Sequence, residues 1–255
     1  MSGDSKVKSI ALRMDDVGAS SKHFEVYSKF PLGLGNIIFL KYLPGFRAWG
    51  KYDEMSGKEW YLLYELLAKY NACLTVGVTA SWVEYSGELT PINKKFPAEV
   101  KAIRDGISSG LLNLASHGLT HCLLADNQFR PKLFKGNRSE HREFWDHLPY
   151  ETHHKHISES KRILEETFEQ KIEVLVPPGN VFSDKTVKAA NANGIKYINC
   201  NTQSNKDHFG CQIISNEHVF AFHDRELKLY GMQWLRRVLL DMGEKTTYKF
   251  VYEIE

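Results

Sequence analysis

Five residues of this chain have the types and spacing that metal-assisted catalysis requires. They are the adjacent pair Asp15 and Asp16, the HxxxH pair His117 and His121, and His223, which ends an apolar run. Adjacent carboxylates repel each other, and burying them is unfavourable unless a cation or hydrogen-bond donors compensate. One carboxylate and two imidazoles can bind a divalent cation and leave coordination positions open. The set therefore suits a catalytic metal site better than a closed structural one.

Each of these features also has an ordinary structural explanation. An Asp-Asp pair before Gly18 is common in turns, and a histidine after a strand is often part of a core. An HxxxH pair places both rings on one face of a helix, and such pairs also occur on solvent-exposed helices. The three features gain weight together because each follows a predicted strand. We interpret three further histidines, His153, His154 and His156, as surface residues.

The elements that must position these residues are seven short apolar runs with amphipathic segments between them. The predicted strands are residues 7–14, 73–79, 111–115, 172–176, 195–198, 219–222 and 248–254. The predicted helices are residues 57–70, 96–107, 153–168, 183–193 and, as one long closing helix, 227–242. Such alternation indicates an α/β fold with a parallel sheet, and six or seven units favour a barrel or near-barrel. In that fold, residues just past the carboxyl ends of the strands converge on one face.

Bulk properties predict one soluble cytoplasmic domain spanning residues 1–255. The chain is 42% hydrophobic and 25% charged, and 33 basic against 31 acidic residues give a net charge of +2. We therefore see no electrostatic argument for nucleic acid or an anionic membrane. No apolar window is long enough to span a bilayer, and the N-terminus lacks a secretion signal. The four cysteines are scattered, which argues against a disulfide framework or a cysteine zinc site. The oligomeric state cannot be derived from these properties.

The chain resembles the polysaccharide deacetylase family, which is carbohydrate esterase family four with its NodB-homology domain. The segment LRMDDVG matches the TFDDG-like first motif, HGLTH matches the HSxxH-like second motif, and FAFHD matches the last motif. The segment LVPPGN stands where the third motif usually reads RxPY or RPPYG. The resemblance spans about residues 10–222 and beyond. It implies a distorted (β/α)7 barrel, here with a long insertion at residues 20–56 after the first strand.

The resemblance also implies roles for individual residues. Asp16, His117 and His121 would hold a divalent metal, commonly Zn²⁺, while Asp15 would be the general base and His223 the general acid. A metal lowers the pKa of water and polarises an acyl oxygen, which an unreactive N-acetyl amide requires. Substrate and oxyanion contacts are expected from four further residues: Arg13, Pro178, Gly179 and Asn180.

Two departures from the family pattern bear on catalysis. Val176 stands where the family usually has an arginine that supports the catalytic aspartate, so either Arg13 or Arg225 substitutes or the base is tuned differently. We find no equivalent of the fourth motif, which orients the catalytic histidine. Asp224 adjoins His223 but would point the other way if the strand continues.

Three functions stay open at this stage. The leading prediction is removal of an N-acetyl group from a sugar, possible substrates being precursors of surface polysaccharide or O-antigen. The alternatives are a catalytically weak or inactive glycan-binding relative and a metal-dependent amidase with a non-sugar substrate. The aromatic insertion at 20–56 is predicted to form an ordered lid that selects small or end-exposed sugars. Five aromatic residues in or beside the long loops could stack on sugars or pack the loops: Trp49, Tyr52, Trp82, Phe144 and Trp145.

Overall fold

A mostly parallel sheet brings the candidate site residues to one edge. The computed structural model describes residues 8–25, 37, 53–124, 129–130, 136–201, 206–243 and 245–254. Its strands are β1 (Lys8–Val17), β2 (Leu74–Val78), β3 (Ser81–Val83), β4 (Leu89–Pro91), β5 (Leu112–Ser116), β6 (Val174–Leu175), β7 (Tyr197–Cys200), β8 (Lys206–His208), β9 (Cys211–Ser215), β10 (Val219–His223) and β11 (Thr246–Lys249). Its α-helices are α1 (Ser21–Phe24), α2 (Gly57–Lys69), α3 (Ile92–Lys95), α4 (Pro97–Ser108), α5 (Tyr150–Phe168), α6 (Asp184–Ala192), α7 (Asp224–Tyr230) and α8 (Met232–Met242).

The sheet has the topology of a seven-unit half-barrel. Its strand order is β10-β1-β2-β5-β6-β7-β9-β8, and the seven strands from β10 to β9 run parallel. β11 pairs with the first half of β1, and β8 adds an antiparallel strand beyond β9. β3 and β4 form a separate antiparallel hairpin. The curled parallel sheet with its helices confirms the predicted α/β barrel of the (β/α)7 type.

Two apolar cores hold the sheet in place. The larger core lies between the sheet and the helices, where α2 contributes the fully buried Trp60 and begins with a capping box of Ser56 and Glu59. The smaller core fills the concave side of the sheet with eight mainly β-branched or small residues: Ala11, Ala115, Val174, Val176, Ile214, Val219, Val251 and Ile254. The polar residues of the site lie beyond this inner core, towards the carboxyl ends of the strands.

The structure corrects three predictions about the elements. Four strands, β3, β4, β8 and β9, were missed, because runs of three to five residues are too short to show a clear alternating pattern. The predicted strand at 248–254 is β11 followed by a 3₁₀ turn at Val251–Glu253. The predicted closing helix at 227–242 is divided into α7 and α8 by Gly231, whose φ of 71° does not fit a helix.

Two further predictions fall partly outside the described residues. The insertion at 20–56 is described only at Ser20–Glu25, at residue 37 and at 53–56, so the lid stays a prediction. The single-domain assignment likewise stays a prediction. Among the described helices, none combines the length and apolar character needed to cross a bilayer.

Candidate active site

The adjacent residues Asp15 and Asp16 reach one cleft because β1 is irregular at this point. In a regular strand, successive side chains point to opposite faces of the sheet. The pairing of β1 with β2 shifts register between Met14 and Val17, and Asp16 has a left-handed backbone with φ of 70°. Such bulges re-aim side chains next to active sites. Both carboxylates consequently line the same cleft, and both are buried.

Asp16, His117 and His121 form a compact group of potential metal ligands. The Nε2 atoms of His117 and His121 lie 3.3 and 3.2 Å from Oδ1 of Asp16. These are separations expected of donor atoms that share one small divalent cation. Burial raises the pKa of the Asp16 carboxyl, but the charge of His223 and hydrogen bonds from the two imidazoles hold it well below its ordinary value. An ionised oxygen and two imidazole nitrogens therefore fit a divalent metal.

The second nitrogen of each imidazole is held by a neighbouring group. Nδ1 of His117 lies 2.7 Å from the carbonyl oxygen of Val176. A carbonyl can only accept, so this Nδ1 donates. In the neutral imidazole that a metal requires, Nε2 then carries the lone pair on the side of Asp16, whereas in the metal-free protein a protonated Nε2 donates to Asp16. Nδ1 of His121 lies 2.8 Å from Oγ of Ser21. The HxxxH pair lies on a loop and not on a helix, and His121 itself has φ of 59°.

A buried carboxylate, Glu143, fixes the loop that carries both histidines. It accepts the backbone N–H groups of residues 119–121 at 2.9 to 3.2 Å. Its Oε1 lies 2.6 Å from Nδ1 of His156. Burial raises the pKa of Glu143, but the hydrogen bond and charge of His156 bring it below the ordinary value. The loop can approach this closely only because residue 118 is glycine, where a Cβ would lie 2.1 Å from Oε2 of Glu143.

Asp15 is held by an ion pair inside the barrel. Arg13, two residues earlier on β1, donates from Nε to Oδ1 at 2.9 Å and from Nη2 to Oδ2 at 2.7 Å. Its Nη1 donates to the side-chain oxygens of Asn199 and Asn216. A bidentate guanidinium pair fixes both the charge and the plane of a carboxylate. Gly77 on β2 leaves room for it, since a Cβ there would lie 3.0 Å from Oδ1 of Asp15.

His223 lies opposite Asp15 because β10 pairs with β1 in that register. Its Nδ1 lies 3.3 Å from Oε2 of Glu226, and its backbone N–H donates to the same oxygen at 2.7 Å. Burial lowers the pKa of His223, but the charge of Asp16 and the hydrogen bond with Glu226 raise it to about 9. A shift in this direction favours the protonated imidazole, which has a proton to donate.

A second buried charge cluster lies behind Asp16. Lys22 of α1 donates to the backbone oxygen of Asp16 at 3.0 Å and to Oδ2 of Asp224 at 2.7 Å. It also lies 2.5 Å from Oε1 of Glu54. Asp224 follows His223 directly, so this lysine ties the ends of β1 and β10 together. The Asp224 carboxylate is thus engaged by Lys22, while Glu226 contacts the imidazole.

Comparison with known proteins identifies the family of this chain. The family model described as polysaccharide deacetylase matches residues 47–198, which is more than half of the sequence. The chain belongs to the polysaccharide deacetylase family. No curated protein sequence matches it. The matched range includes His117 and His121, while the two aspartates and His223 lie outside it and join them only in the folded structure.

Several solved structures share the fold at low sequence identity. A Mycobacterium smegmatis protein assigned as a polysaccharide deacetylase has a TM-score of 0.57 and 14% identity, covering 94% of this chain and 85% of that chain. A pseudoenzyme of carbohydrate esterase family four from Bacillus anthracis has a TM-score of 0.51 and 11% identity, covering 98% and 65%. A 4-alpha-glucanotransferase from Thermococcus litoralis has a TM-score of 0.52 and 14% identity, covering 96% and 37%. At such identities the likeness concerns the fold alone.

The geometry answers both questions raised by the departures from the family pattern. Of the two arginines expected to substitute for the one absent at Val176, Arg13 contacts Asp15, whereas Arg225 donates to Glu226. Glu226 was missed as the partner of His223. The sequence could nevertheless have indicated this contact, because His223 and Glu226 form an i, i+3 capping box at the start of α7.

The outer wall of the cleft is polar. Of the expected substrate-contacting residues, Arg13, Gly179 and Asn180 line the cleft, while Pro178 is buried beneath it. The N–H of Asn180 donates to the carbonyl of Pro177. Four residues from other segments complete the wall: Glu25, Arg138, His141 and Arg142. These four were not predicted from the sequence, because they lie in long segments without a regular pattern.

The remaining histidines and the aromatic residues differ in their burial, and two of the three histidines differ from their prediction. The surface assignment was wrong for His153, which is fully buried with Nδ1 3.0 Å from Oγ1 of Thr186, and for His156, which pairs with Glu143. His154 is half-buried and packs beside Tyr150. Among the aromatics, Trp82 and Phe144 are buried, Trp145 is half-buried, and Trp49 and Tyr52 lie outside the described residues.

Proposed function

We propose that this protein is a metal-dependent deacetylase that hydrolyses the acetamide of an N-acetylated sugar. The observation that carries the proposal is one cleft that holds the Asp16, His117 and His121 cluster beside Asp15 and His223. Membership of the polysaccharide deacetylase family supports the reaction class. The reaction adds water across the C–N bond and yields acetate and a free amine.

The metal would be held by Asp16, His117 and His121, and zinc is the cation we propose. Two neutral imidazoles and one carboxylate are a common ligand set of catalytic zinc. When bound, the cation would supply Lewis-acid chemistry, making water more acidic and polarising the acyl oxygen. The His117 and His121 rings are held by Val176 and Ser21, so little reorganisation would accompany binding.

The protein's own groups would carry the protons. Asp15 would accept the proton of the attacking water, and its ion pair with Arg13 keeps the carboxylate oriented. His223 would donate its proton to the departing nitrogen as the C–N bond breaks. The Asn180 N–H is already used within its turn, so the Gly179 N–H is the backbone donor proposed for the developing oxyanion.

Two observations favour catalysis over the non-catalytic alternative. A protein that only binds glycans has no use for a buried, arginine-paired Asp15, because a buried ion pair contributes little net stability. It also has no use for an imidazole whose Nδ1 is held by a carboxylate, as that of His223 is held by Glu226. An amidase acting on a non-sugar substrate would need the same groups, so the choice of a sugar rests on the family.

We further propose a small sugar precursor of surface polysaccharide or O-antigen as the substrate, in the cytoplasm. All four cysteines, Cys73, Cys122, Cys200 and Cys211, are free. Free thiols are typical of a reducing compartment, where precursors and not finished polymers would be encountered.

The test is a mass-spectrometric assay on purified, zinc-loaded protein. UDP-N-acetylglucosamine and an N-acetylglucosamine oligomer serve as small and polymeric substrates, and Asp15→Asn serves as the matched inactive control. We expect the wild type to remove acetyl groups and the variant to be inactive. Equal activity in both proteins would refute the assignment of Asp15, and absence of turnover on every N-acetyl sugar would refute the proposed function.

A further inference from the structure

We propose that the substrate carries a phosphate or a carboxylate group near its acetamide, and that Arg142 binds this anion. The inference rests on the proposed function, because it concerns the substrate of the same cleft. It adds a charged recognition element to that cleft, which the chemistry of deacetylation alone does not require.

The basic side chains that line the cleft differ in their partners. Arg13 is paired with Asp15, and Nε of Arg138 lies 3.3 Å from Oε1 of Glu25. Arg142 lines the cleft as well, yet within the described part of the chain no carboxylate pairs with it and no acceptor takes its N–H groups. A guanidinium presents planar donors that match carboxylate and phosphate oxygens. Arg142 is thus the cleft arginine that is available to a ligand anion.

The Arg142 side chain is also held in position before any ligand arrives. Its neighbour Glu143 is anchored to the loop of the two histidines by three backbone hydrogen bonds. Its stem packs against Gly179, where a Cβ would lie 2.8 Å from both Cγ and Nε of Arg142. Its guanidinium lies over the ring of Trp145, 5.7 Å from the centroid. Such pre-organisation lowers the entropy lost when a ligand binds.

The sequence adds an independent electrostatic argument. The net charge of +2 conceals an uneven distribution, since residues 26–52 contain four basic and no acidic residues, and residues 122–142 contain five basic and two acidic residues. The whole chain has 33 basic and 31 acidic residues, so the remainder is net acidic. Glu25, which precedes the first stretch, and Arg142, which ends the second, both line the cleft. Of the basic residues in the second stretch, Arg138 and Arg142 line the cleft, and positive charge at a cleft attracts an anionic ligand.

The binding test uses probes that the enzyme cannot deacetylate, so the unaltered zinc-loaded protein can be studied. UDP-glucose carries phosphates, methyl glucuronide carries a carboxylate, and methyl glucoside is neutral. Ligand-observed NMR should show that at least one anionic probe binds about tenfold tighter than the neutral probe. Arg142→Gln should remove this advantage and leave methyl glucoside unaffected. If the binding of UDP-glucose depends on Arg142, the recognised anion is a phosphate. If the binding of methyl glucuronide does, it is a carboxylate.

The matched control is Arg236→Gln, which removes the same charge from an exposed position on α8, where Arg236 contacts Gln233. It should leave all three affinities unchanged. Equal binding of charged and neutral probes by the wild type would overturn the proposal. So would an Arg142→Gln variant that loses charged and neutral probes alike, because that pattern indicates a structural role.

A kinetic test separates this inference from the proposed function. Arg142→Gln should raise KM about tenfold for an anionic N-acetyl sugar such as UDP-N-acetylglucosamine, with kcat nearly unchanged. The KM for a neutral N-acetylated methyl glycoside should not change. Arg142-dependent anion binding without any deacetylation would refute the proposed function and leave the inference standing. Deacetylation that is indifferent to substrate charge and to Arg142 would refute the inference alone.

Discussion

Asp15 and Asp16 are neighbours in sequence, yet their charges are compensated in opposite ways. Asp15 faces a guanidinium of its own strand, and the two nearest donor atoms lie 2.7 and 2.9 Å away. Asp16 faces two imidazole nitrogens at 3.2 and 3.3 Å, in an arrangement that suits a cation taken from solution. The proposed base must be held in one orientation, so a built-in partner serves it, whereas the proposed metal ligand must keep its lone pairs available.

The largest expected effect concerns the two histidines that face Asp16. The double variant His117→Ala/His121→Ala should lose bound zinc and all deacetylation, because two of three ligands are gone. Elemental analysis and circular dichroism measure metal content and folding. The fold should persist, since both residues lie on a loop beyond β5. His154→Ala, outside the cleft, is the control, and stoichiometric zinc in the double variant would contradict the ligand assignment.

The next effect separates the two aspartates directly. Asp15→Asn should retain zinc but lower kcat at least about 100-fold, because an amide cannot accept the proton. Asp16→Asn should lower zinc affinity as well, since it loses the ionised ligand. Titration of zinc into both metal-free variants, alongside the deacetylation assay, tests this difference. Equal loss of zinc in the two variants would show that base and ligand have been interchanged.

A third prediction concerns the built-in partner of Asp15. Arg13→Met should lower the free energy of unfolding by about 3 to 5 kcal/mol, because it leaves a buried carboxylate unpaired. Adding Asp15→Asn should recover part of that loss. The four proteins of this double-mutant cycle are compared by urea denaturation. Strictly additive losses would mean that the Arg13–Asp15 contact has no energetic coupling.

A fourth prediction concerns the cluster behind Asp16, where one lysine faces two carboxylates. Burial and the charge of Asp224 raise the pKa of Glu54 to about 7, although Lys22 opposes this. The folded state therefore binds this proton more tightly than the unfolded state. The stability it contributes is full below the ordinary pKa of 4.5 and is lost as pH rises to about 7.

Glu54→Gln should accordingly flatten the pH dependence of unfolding between these values, by about 3 kcal/mol at most. Thermal unfolding at several pH values measures this. Glu59→Gln is the matched control, because Glu59 is a more exposed carboxylate paired with Lys228. An unchanged pH dependence in Glu54→Gln would show that the charges of this cluster are balanced, as they are at Arg13 and Asp15.

The smallest expected effect concerns the orientation of the proposed acid. Glu226→Gln keeps a hydrogen-bond acceptor near His223 but removes the charge that favours the imidazolium. The kcat should fall about tenfold and the basic limb of the pH–rate profile should move to lower pH, while zinc content stays unchanged. A variant with the wild-type pH profile would indicate that Glu226 only caps the start of α7.

The sequence alone was sufficient for the fold class and for the edge of the sheet at which the candidate site lies. Alternating strand and helix patterns predict a parallel sheet, and in such a sheet the carboxyl ends of strands meet at one edge. The Asp15–Asp16 pair, the two histidines and His223 could therefore be assigned to one edge of the sheet without any contact being known. That both aspartates face one cleft follows only from the irregularity of β1. Glu226 could have been found as well, because an i, i+3 relation at a helix start is local.

Only the tertiary structure decided how these groups are held. The choice between Arg13 and Arg225 depends on Asn199 and Asn216, more than 180 residues from Arg13. The hydrogen bonds of Glu143 to the loop of the two histidines likewise join segments that share no pattern in the sequence. The same holds for the ion pair of Lys22 with Asp224. Residue type and local spacing determine which chemistry is possible, because each strand end contributes its own side chains to the site. Charge pairing is decided by chain packing, because a buried ion is stabilised only by partners within a few ångströms, wherever they lie in the sequence.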